Sequence, residues 1–541
     1  FRSDGLRQGL AEEFSNIYVF PLRGNQRTSG ETSRREGGKV FGAGSRAPIA
    51  ISLLVKNPKA KQHGQILFHN IGDYLSREEK LAAVATFGSI DGIAKANGWQ
   101  AITPDDHGDW LRQRDDGFGE FMALGDKKGD GAKLFENFSL GIASGRDAWA
   151  YNSSRQSVSD NMTRMIAFYN REVKRFDVEH GGLGTKARAE QLDGFIDTDP
   201  TQISWTRALK QELSKDRTFA FDSDCVVPSL YRPFTKQWMY FNRRFNEMVY
   251  QMPRIFPDAA STNRVIMVKQ RWSGDGQLAL MVDSPTELQT DGGAQNFPLY
   301  LYDEATQTDA DVPQSGLFDQ PTVPTARKRR DAITDAGLAH FAEAYPSETI
   351  TKEDLFYYIY GLLHSPDYRE RYADNLAKEL PRIPRVKTAA DFWAFSKAGR
   401  ALAELHLNYE TVPMYAGAKL DTGNKKLTNV DYRVEKMKQP KAGGEKDLTR
   451  LVYNAHITVT GIPPEAYDYV VNGKPALDWV IERQCVKTDK ASGIVNDAND
   501  WATETMHNPK YPLELFLRVI TVSLETLKIV RALPKLDVLS E

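Results

Sequence analysis

Two runs of unbroken apolar residues near the start of the chain constrain its fold more than any other feature. They are Asn16 to Leu22 (NIYVFPL) and Pro48 to Lys56 (PIAISLLVK). A strand with one wet face alternates apolar and polar side chains, whereas a strand covered on both faces does not. A helical pattern precedes the first run, with Leu6, Leu10 and Phe14 on one face and Ser3 or Asp4 as its cap. The segment therefore predicts an α/β layer with a parallel sheet. Two strands and one helix do not complete such a sheet, so the segment reads as the tail of an α/β domain whose front lies elsewhere.

The chain has 541 residues, room for about three domains. Its 70 Lys and Arg against 72 Asp and Glu give a net charge of −2. That balance excludes a uniformly basic nucleic-acid coat and leaves local patches for such a role. Cys225 and Cys485 are the only cysteines. With no CxxC pair, neither a zinc ribbon nor a disulfide framework is expected, and the usage suits a reducing cytoplasm. The most apolar stretch, Tyr511 to Leu533, carries five charges and repeats its leucines at helical spacing. It reads as an amphipathic helix on a core, so no membrane partner is expected.

Past the first segment, Gln65 to Asn70 reads as a strand and Ser76 to Thr86 as a helix with a Ser76–Glu79 capping box. A long helix is expected over 156–175, then strands near 237–241, 264–268, 278–282 and 297–302. The polar, Pro-rich stretch 303–330 reads as a linker or surface loop. Helices follow at 329–344, 352–364, 366–379, 389–408, 474–484 and 512–532, with a β interlude at 431–460. The expected domains are 1–125, 126–325 and 326–541.

Two basic patches carry chemistry. Residues 21–62 hold nine Lys or Arg against Glu31 and Glu36, mostly in a Gly-rich loop between the two apolar strands. Such a loop at strand ends suits a phosphate backbone; a solvated surface loop is the alternative. Residues 231–272 hold eight basic residues, two acids and nine aromatics. Arginine suits phosphate or guanine and aromatics suit stacking, although strands also take aromatics as plain core. The nine histidines form no metal-binding spacing, and there is no GxGxxG, Walker A or Gly-x-Ser-x-Gly motif. Pro104-Asp105 with Asp126-x-Lys128 has a loosely nuclease-like spacing that arises readily by chance.

The order of several longer segments is more specific. SDGLRQGLAEEFSNIYVFPLRGNQRTSGETSRREGGKVFGAGSRAPIAISLLVKNP resembles the end of the γ-type adenine-N6 DNA methyltransferase domain of Type ISP restriction–modification enzymes. HGDWLRQRDDGF, GIASGRDAWAYNSS, PSLYRPFTKQWMYFNRR, YIYGLLHSPDYRERYADNLAKELPRIP and VYNAHITVTGIPPEAYDYVVNGKPALDWVIERQ resemble the target-recognition region of that family. The resemblance runs through nearly the whole chain. It implies a Rossmann-like α/β tail, then a large mixed α+β recognition region with a mainly helical second half. The FxGxG-type loop for S-adenosylmethionine and the Asn-Pro-Pro-Tyr loop for the target amino group are not in this sequence. The resemblance places both upstream, with the helicase and nuclease modules. It implies that the full-length parent uses S-adenosylmethionine and that this chain alone binds the cofactor only weakly and is inactive.

Residue by residue, the family's late methyltransferase motif matches Lys39 to Ala50, and Phe41 matches the aromatic that packs on a flipped adenine. A simple loop anchor is the alternative role. Arg23, Asn25, Arg27, Lys39 and Arg46 are expected to hold phosphate or the loop itself. Arg146, Arg232, Lys236, Arg243 and Arg244 are expected to meet bases or phosphates, with a buried structural pair as the alternative for Arg232. Double-stranded DNA and the upstream modules of the same polypeptide are the expected partners. The competing reading is an accessory protein-interaction subunit of a methyltransferase or helicase complex that does not touch DNA.

Overall fold

The computed structural model describes residues 4–26, 30–42, 45–129, 131–272, 274, 276–303 and 327–539. The chain divides into two compact units. One comprises Phe1–Glu120, Ser273–Asp275 and Arg371–Glu379, and the other Phe121–Trp272, Gly276–Glu370 and Leu380–Glu541.

In the first unit, helix α1 (Asp4–Glu13) leads into strand β1 (Asn16–Arg23), followed by β2 (Ile49–Val55), β3 (Gln65–Phe68), helices α2 (Arg77–Phe87) and α3 (Ile90–Lys95), and β4 (Gln100–Ile102). The sheet order is β2-β1-β3-β4. β1 and β3 are parallel, but β1 and β2 are antiparallel, with Asn16 opposite Val55 and Arg23 opposite Ile49. The expectation of a parallel relation between the two apolar runs is therefore corrected. The connection between them carries only a seven-residue helix, Gly30–Glu36. It turns at the end where β1 finishes, so β2 starts beside Arg23 and runs back.

β2 is an edge strand. Its Ile51, Leu53 and Val55 are 45%, 45% and 38% exposed, so the apolar run marks a strand with little covering it. Sequence alone does not distinguish that from a buried strand. Ser76 caps α2 with Glu79 closing the box, as its spacing predicts. The late segment Arg371–Glu379 is tied into this unit by Lys378 Nζ on Asp109 at 2.7 Å and by Asp115 N on Asn375 Oδ1 at 2.9 Å.

Two of the sheets in the second unit bear on the site. Its elements include β5 (Ser139–Leu140), α4 (Asp147–Ala150), β6 (Tyr151–Asn152), α5 (Arg155–His180) and α6 (Arg207–Ser214). Next come β7 (Val226–Arg232), β8 (Thr235–Tyr240), β9 (Val265–Val268), β10 (Ala279–Val282) and β11 (Gln295–Pro298). Sheet β10-β9-β11-β5 is antiparallel, and its three longer strands are buried throughout. Sheet β6-β8-β7 is antiparallel and lies against α5. Lys328–Asp331 forms a strand on Tyr300–Asp303 rather than a helix start. Arg330 ties it down by pairing with Asp303 and Glu136. Residues 304–326 of the expected linker lie outside the described residues.

The C-terminal half is helical, as its periodicity predicts. Helices α7 (Lys352–Leu363) and α8 (Ala389–Leu407) cross where Gly361 faces Gly399. A Cβ on Gly361 would sit 2.1 Å from Phe395 O, and one on Gly399 would sit 1.9 Å from Tyr357 O. Only glycine allows that approach. The hairpin β12 (Val486–Thr488) and β13 (Val495–Asp497) precedes the long helix α9 (Tyr511–Arg531).

A hydrogen-bonded cluster joins these helices. Tyr360 Oη accepts from Met281 N at 2.8 Å and lies 2.6 Å from His406 Nδ1. His406 Nε2 lies 2.9 Å from Thr526 Oγ1. Tyr469 Oη lies 3.1 Å from the same nitrogen, so both ring nitrogens of His406 face hydroxyls that can donate or accept. His364 donates from Nδ1 to Tyr360 O at 2.8 Å. Burial pushes the His364 imidazole down to about 4 and that of His406 well below its usual range.

Candidate nucleic-acid interface

In the first unit, the basic loop after β1 is fixed from below by α2. Lys80 is fully covered, and its ammonium donates to Glu36 O at 2.6 Å and Gly38 O at 2.8 Å. Burial pushes the Lys80 ammonium down, and the Glu36 carboxylate opposes that shift. Arg77 Nε donates to Val40 O at 2.9 Å. Gly37 has φ +67°, and a Cβ there would sit 2.1 Å from Leu75 O. Phe41 follows these anchors directly and is 58% exposed. The loop is thus held by its backbone while the ring points to solvent. Sequence reasoning missed Lys80 and Arg77, because EEKLAAV reads as a solvated helix start.

The cations of this loop divide by their partners. Arg23 sits at φ 56°, donates to Asn70 Oδ1 at 2.9 Å and pairs with Asp73. Asn25 N donates to the Glu36 carboxylate at 2.9 Å. Arg46 donates to Gln26 O at 2.8 Å, yet its side chain remains exposed, as does that of Lys39. Arg27 lies outside the described residues.

In the second unit, bridges between Ala143 and Met248 bring the Gly145-Arg146 turn beside the 243–248 loop. Gly145 has φ +67°, and a Cβ there would sit 2.9 Å from Thr206 Cγ2. The turn places the Arg146 guanidinium inside, where Nη2 donates to Thr206 Oγ1 at 2.7 Å. Burial pushes Arg146 down to about 10, opposed by the nearby Glu247 carboxylate. Arg243 and Arg244 are exposed, with Arg244 3.4 Å from Glu212.

Arg232 and Lys236 face inward. Arg232 pairs with Glu287 at 2.6 Å and lies over the Tyr231 ring. Lys236 pairs with Glu410 at 2.9 Å. Burial alone would depress the Lys236 ammonium, but Glu410 and Asp283 hold it above its ordinary value. Most aromatics of the 231–272 run are core: Phe234, Tyr240, Phe245, Phe256 and Trp272 are buried. Trp238 packs on Trp501 and donates to Thr505.

The nuclease-like carboxylates serve turns. Asp105 accepts from the backbone of His107 and Asp109, and Asp126 from that of Lys128. Among the described residues, no group of three or more His, Cys, Asp or Glu side chains is placed to hold a metal ion. None of their helices is long and apolar enough to cross a membrane.

Comparison with known proteins gives the context of these surfaces. A family profile described as the Type ISP C-terminal specificity domain matches residues 133–515. Among solved structures, a nuclease-deletion mutant of the Type ISP restriction–modification enzyme LlaGI, in complex with a DNA substrate mimic, is similar to 99% of this chain. Its TM-score is 0.82 and its identity 39%, and the match covers 38% of that chain. The ATP-dependent Type ISP enzyme LlaBIII bound to DNA matches with TM-score 0.82 and 35% identity, over 99% of this chain and 32% of that one. A DrdV–DNA complex matches with TM-score 0.77 and 29% identity, over 98% of this chain and 49% of that one. The chain thus spans a third to a half of the length of these structures. No curated protein matches it significantly.

Proposed function

The chain belongs to the Type ISP C-terminal specificity domain family, and from that membership we infer that it recognises the DNA target and helps position the target base for an adenine-N6 methyltransferase within the same polypeptide. The observation that carries this reading is similarity over 99% of the chain to two enzymes described in complex with DNA or a DNA mimic, at 39% and 35% identity. The 231–248 segment contributes exposed arginines, Arg243 and Arg244, at a loop beside Arg146. Their side chains suit phosphate contacts that set register, leaving sequence to groups that reach base edges.

The first unit is read as the tail of a Rossmann-like methyltransferase domain. β2 supports this, because its outer edge and apolar side chains fit one more strand of a larger sheet. Phe41, exposed on an anchored loop, is free of a covering side that would block stacking on an extruded adenine, which supports that role.

S-adenosylmethionine belongs, on this reading, to the upstream modules. One recess of the first unit offers it little. The apolar trough of about 240 Å³ at Tyr18, Phe20, Ile51, Phe87 and Trp99 has no carboxylate among its lining residues to meet ribose hydroxyls.

The test is duplex binding by this chain across a salt series. A target reader that neutralises several phosphates loses affinity steeply, with a log–log slope of roughly −0.9 per phosphate. Absence of duplex binding at low salt would leave the accessory, protein-interaction reading.

A further inference from the structure

A cleft of about 470 Å³ opens in the second unit beside α4. Its walls come from three separate stretches: Arg146 to Trp149, the segment around Trp205, and the 489–492 tip of the β12–β13 hairpin. A smaller recess of about 150 Å³ adjoins it, sharing Asp147, Ala148 and Asp489 and adding Gln237 and Lys487. The walls are fixed in place. Asn152 Nδ2 donates to Val495 O at 2.9 Å, and Ser153 Oγ to Asn496 Oδ1 at 2.8 Å, which ties down the hairpin. Asp489 closes the hairpin turn by accepting from Ser492 N and Oγ, both at 2.8 Å.

Two polar side chains in these walls are covered yet incompletely partnered. Arg146 is 4% exposed, and its Nε and Nη1 have no hydrogen-bond partner. Gln237 is 6% exposed, and its Oε1 has none. A buried polar group left unpaired is unfavourable, and Arg146 and Gln237, far apart in sequence, line adjoining parts of one cavity.

The charge of the walls selects the class of ligand. Arg146 and Lys487 are set against Asp147 and Asp489, so a phosphate would meet two carboxylates along with two cations. A nucleobase edge is neutral, planar and carries donors and acceptors side by side. Arginine donors match guanine O6 and N7, and a glutamine carbonyl accepts from an exocyclic amine. The half-buried Trp205 adds an apolar surface beside the opening.

We propose that this cleft and its recess form a subsite for one base of the DNA target, a guanine towards whose acceptors the covered Arg146 side chain turns on binding, while Gln237 turns to accept from an amino group beside it. The assignment rests on the DNA-recognition reading above and names where within it one position is read.

The experiment selects a randomised duplex library on the full chain. Arg146→Gln should lose preference at one base position by about tenfold or more and keep the others. Ala491→Trp, at an exposed position on the hairpin tip, should obstruct the cleft and erase the same position while melting like the wild type. Arg243→Ala should weaken all sequences alike. If Arg146→Gln fails to fold, Ala491→Trp decides alone. An unchanged preference in the folded variants overturns the subsite. So does a uniform loss on every sequence, which would place a phosphate in the cleft. A wild-type chain that binds duplex but selects no sequence overturns the target-reading role and the subsite together.

Discussion

Arg232 and Glu287 form an ion pair at 2.6 Å with both side chains largely covered, at 13% and 6% exposure. Burial pushes the Glu287 carboxyl up while Arg232 opposes it, and Glu287 also accepts from Gln289 N at 2.6 Å. Arg232→Ala should therefore cost about 3–5 kcal/mol of stability, because it leaves a buried carboxylate uncompensated. Changing both, to Arg232→Met with Glu287→Leu, should recover most of that loss. Urea unfolding of the three chains checks this. A small loss in Arg232→Ala, with a large loss of DNA affinity, would assign Arg232 to the interface instead.

Arg243 and Arg244 carry the opposite expectation. Both are exposed, so Arg243→Ala with Arg244→Ala should leave the melting temperature nearly unchanged. Duplex affinity should fall about equally on all sequences, with a log-salt slope shallower by roughly one to two units. Fluorescence anisotropy at several salt concentrations reads both quantities.

The His364–His406 cluster predicts acid sensitivity. Burial pushes His364 down to about 4 in the fold, while an unfolded histidine titrates near ~6.5. The unfolded chain therefore takes up the proton first, and stability falls as pH drops from about 6.5 towards about 4. His364 alone should contribute a loss on the order of 3 kcal/mol across that window, and His406 adds to it in the same direction. Urea midpoints measured from pH 7 to pH 4.5 should decline, and His364→Asn should flatten the decline.

On the proposed reading, Phe41 is tested in the longer methyltransferase to which the chain would belong. With its ring 58% exposed, Phe41→Ala should barely change the melting temperature. If the ring stacks on the extruded base, the fluorescence of 2-aminopurine at the target adenine should change, since stacking contributes ~1–3 kcal/mol. Phe41→Trp keeps a π-face and should retain most of the wild-type signal. A large stability loss with an unaltered signal would make Phe41 a loop anchor.

How much of this was legible in the sequence depends on the range of the forces involved. The C-terminal helices follow from 3.6-residue periodicity and local caps; in the structure Thr351 and Asp354 form a capping box at the start of α7. The β1–β2 relation was not legible, because an uncovered edge strand and a buried central strand share the same apolar run. The surroundings of Arg232 and Lys236 were hidden for a different reason. Their partners Glu287 and Glu410 lie 55 and 174 residues away, so nothing near either cation in sequence signals a carboxylate. Lys80 was missed because a buried lysine that donates to carbonyls looks, in sequence, like a solvated one.

The first unit is discontinuous: Arg371–Glu379 belongs with residues 1–120, and Lys378 and Asn375 supply bonds to Asp109 and Asp115. A ribosome must therefore deliver the residues from 121 to 379 before that unit has all its parts. Recombination is constrained in the same way. An exchange of recognition segments between relatives that joins a foreign stretch just after residue 120 would bring in a foreign counterpart of 371–379. Chimaeras should tolerate crossovers that keep Asp109, Asp115, Asn375 and Lys378 from one parent and fail more often when they are split.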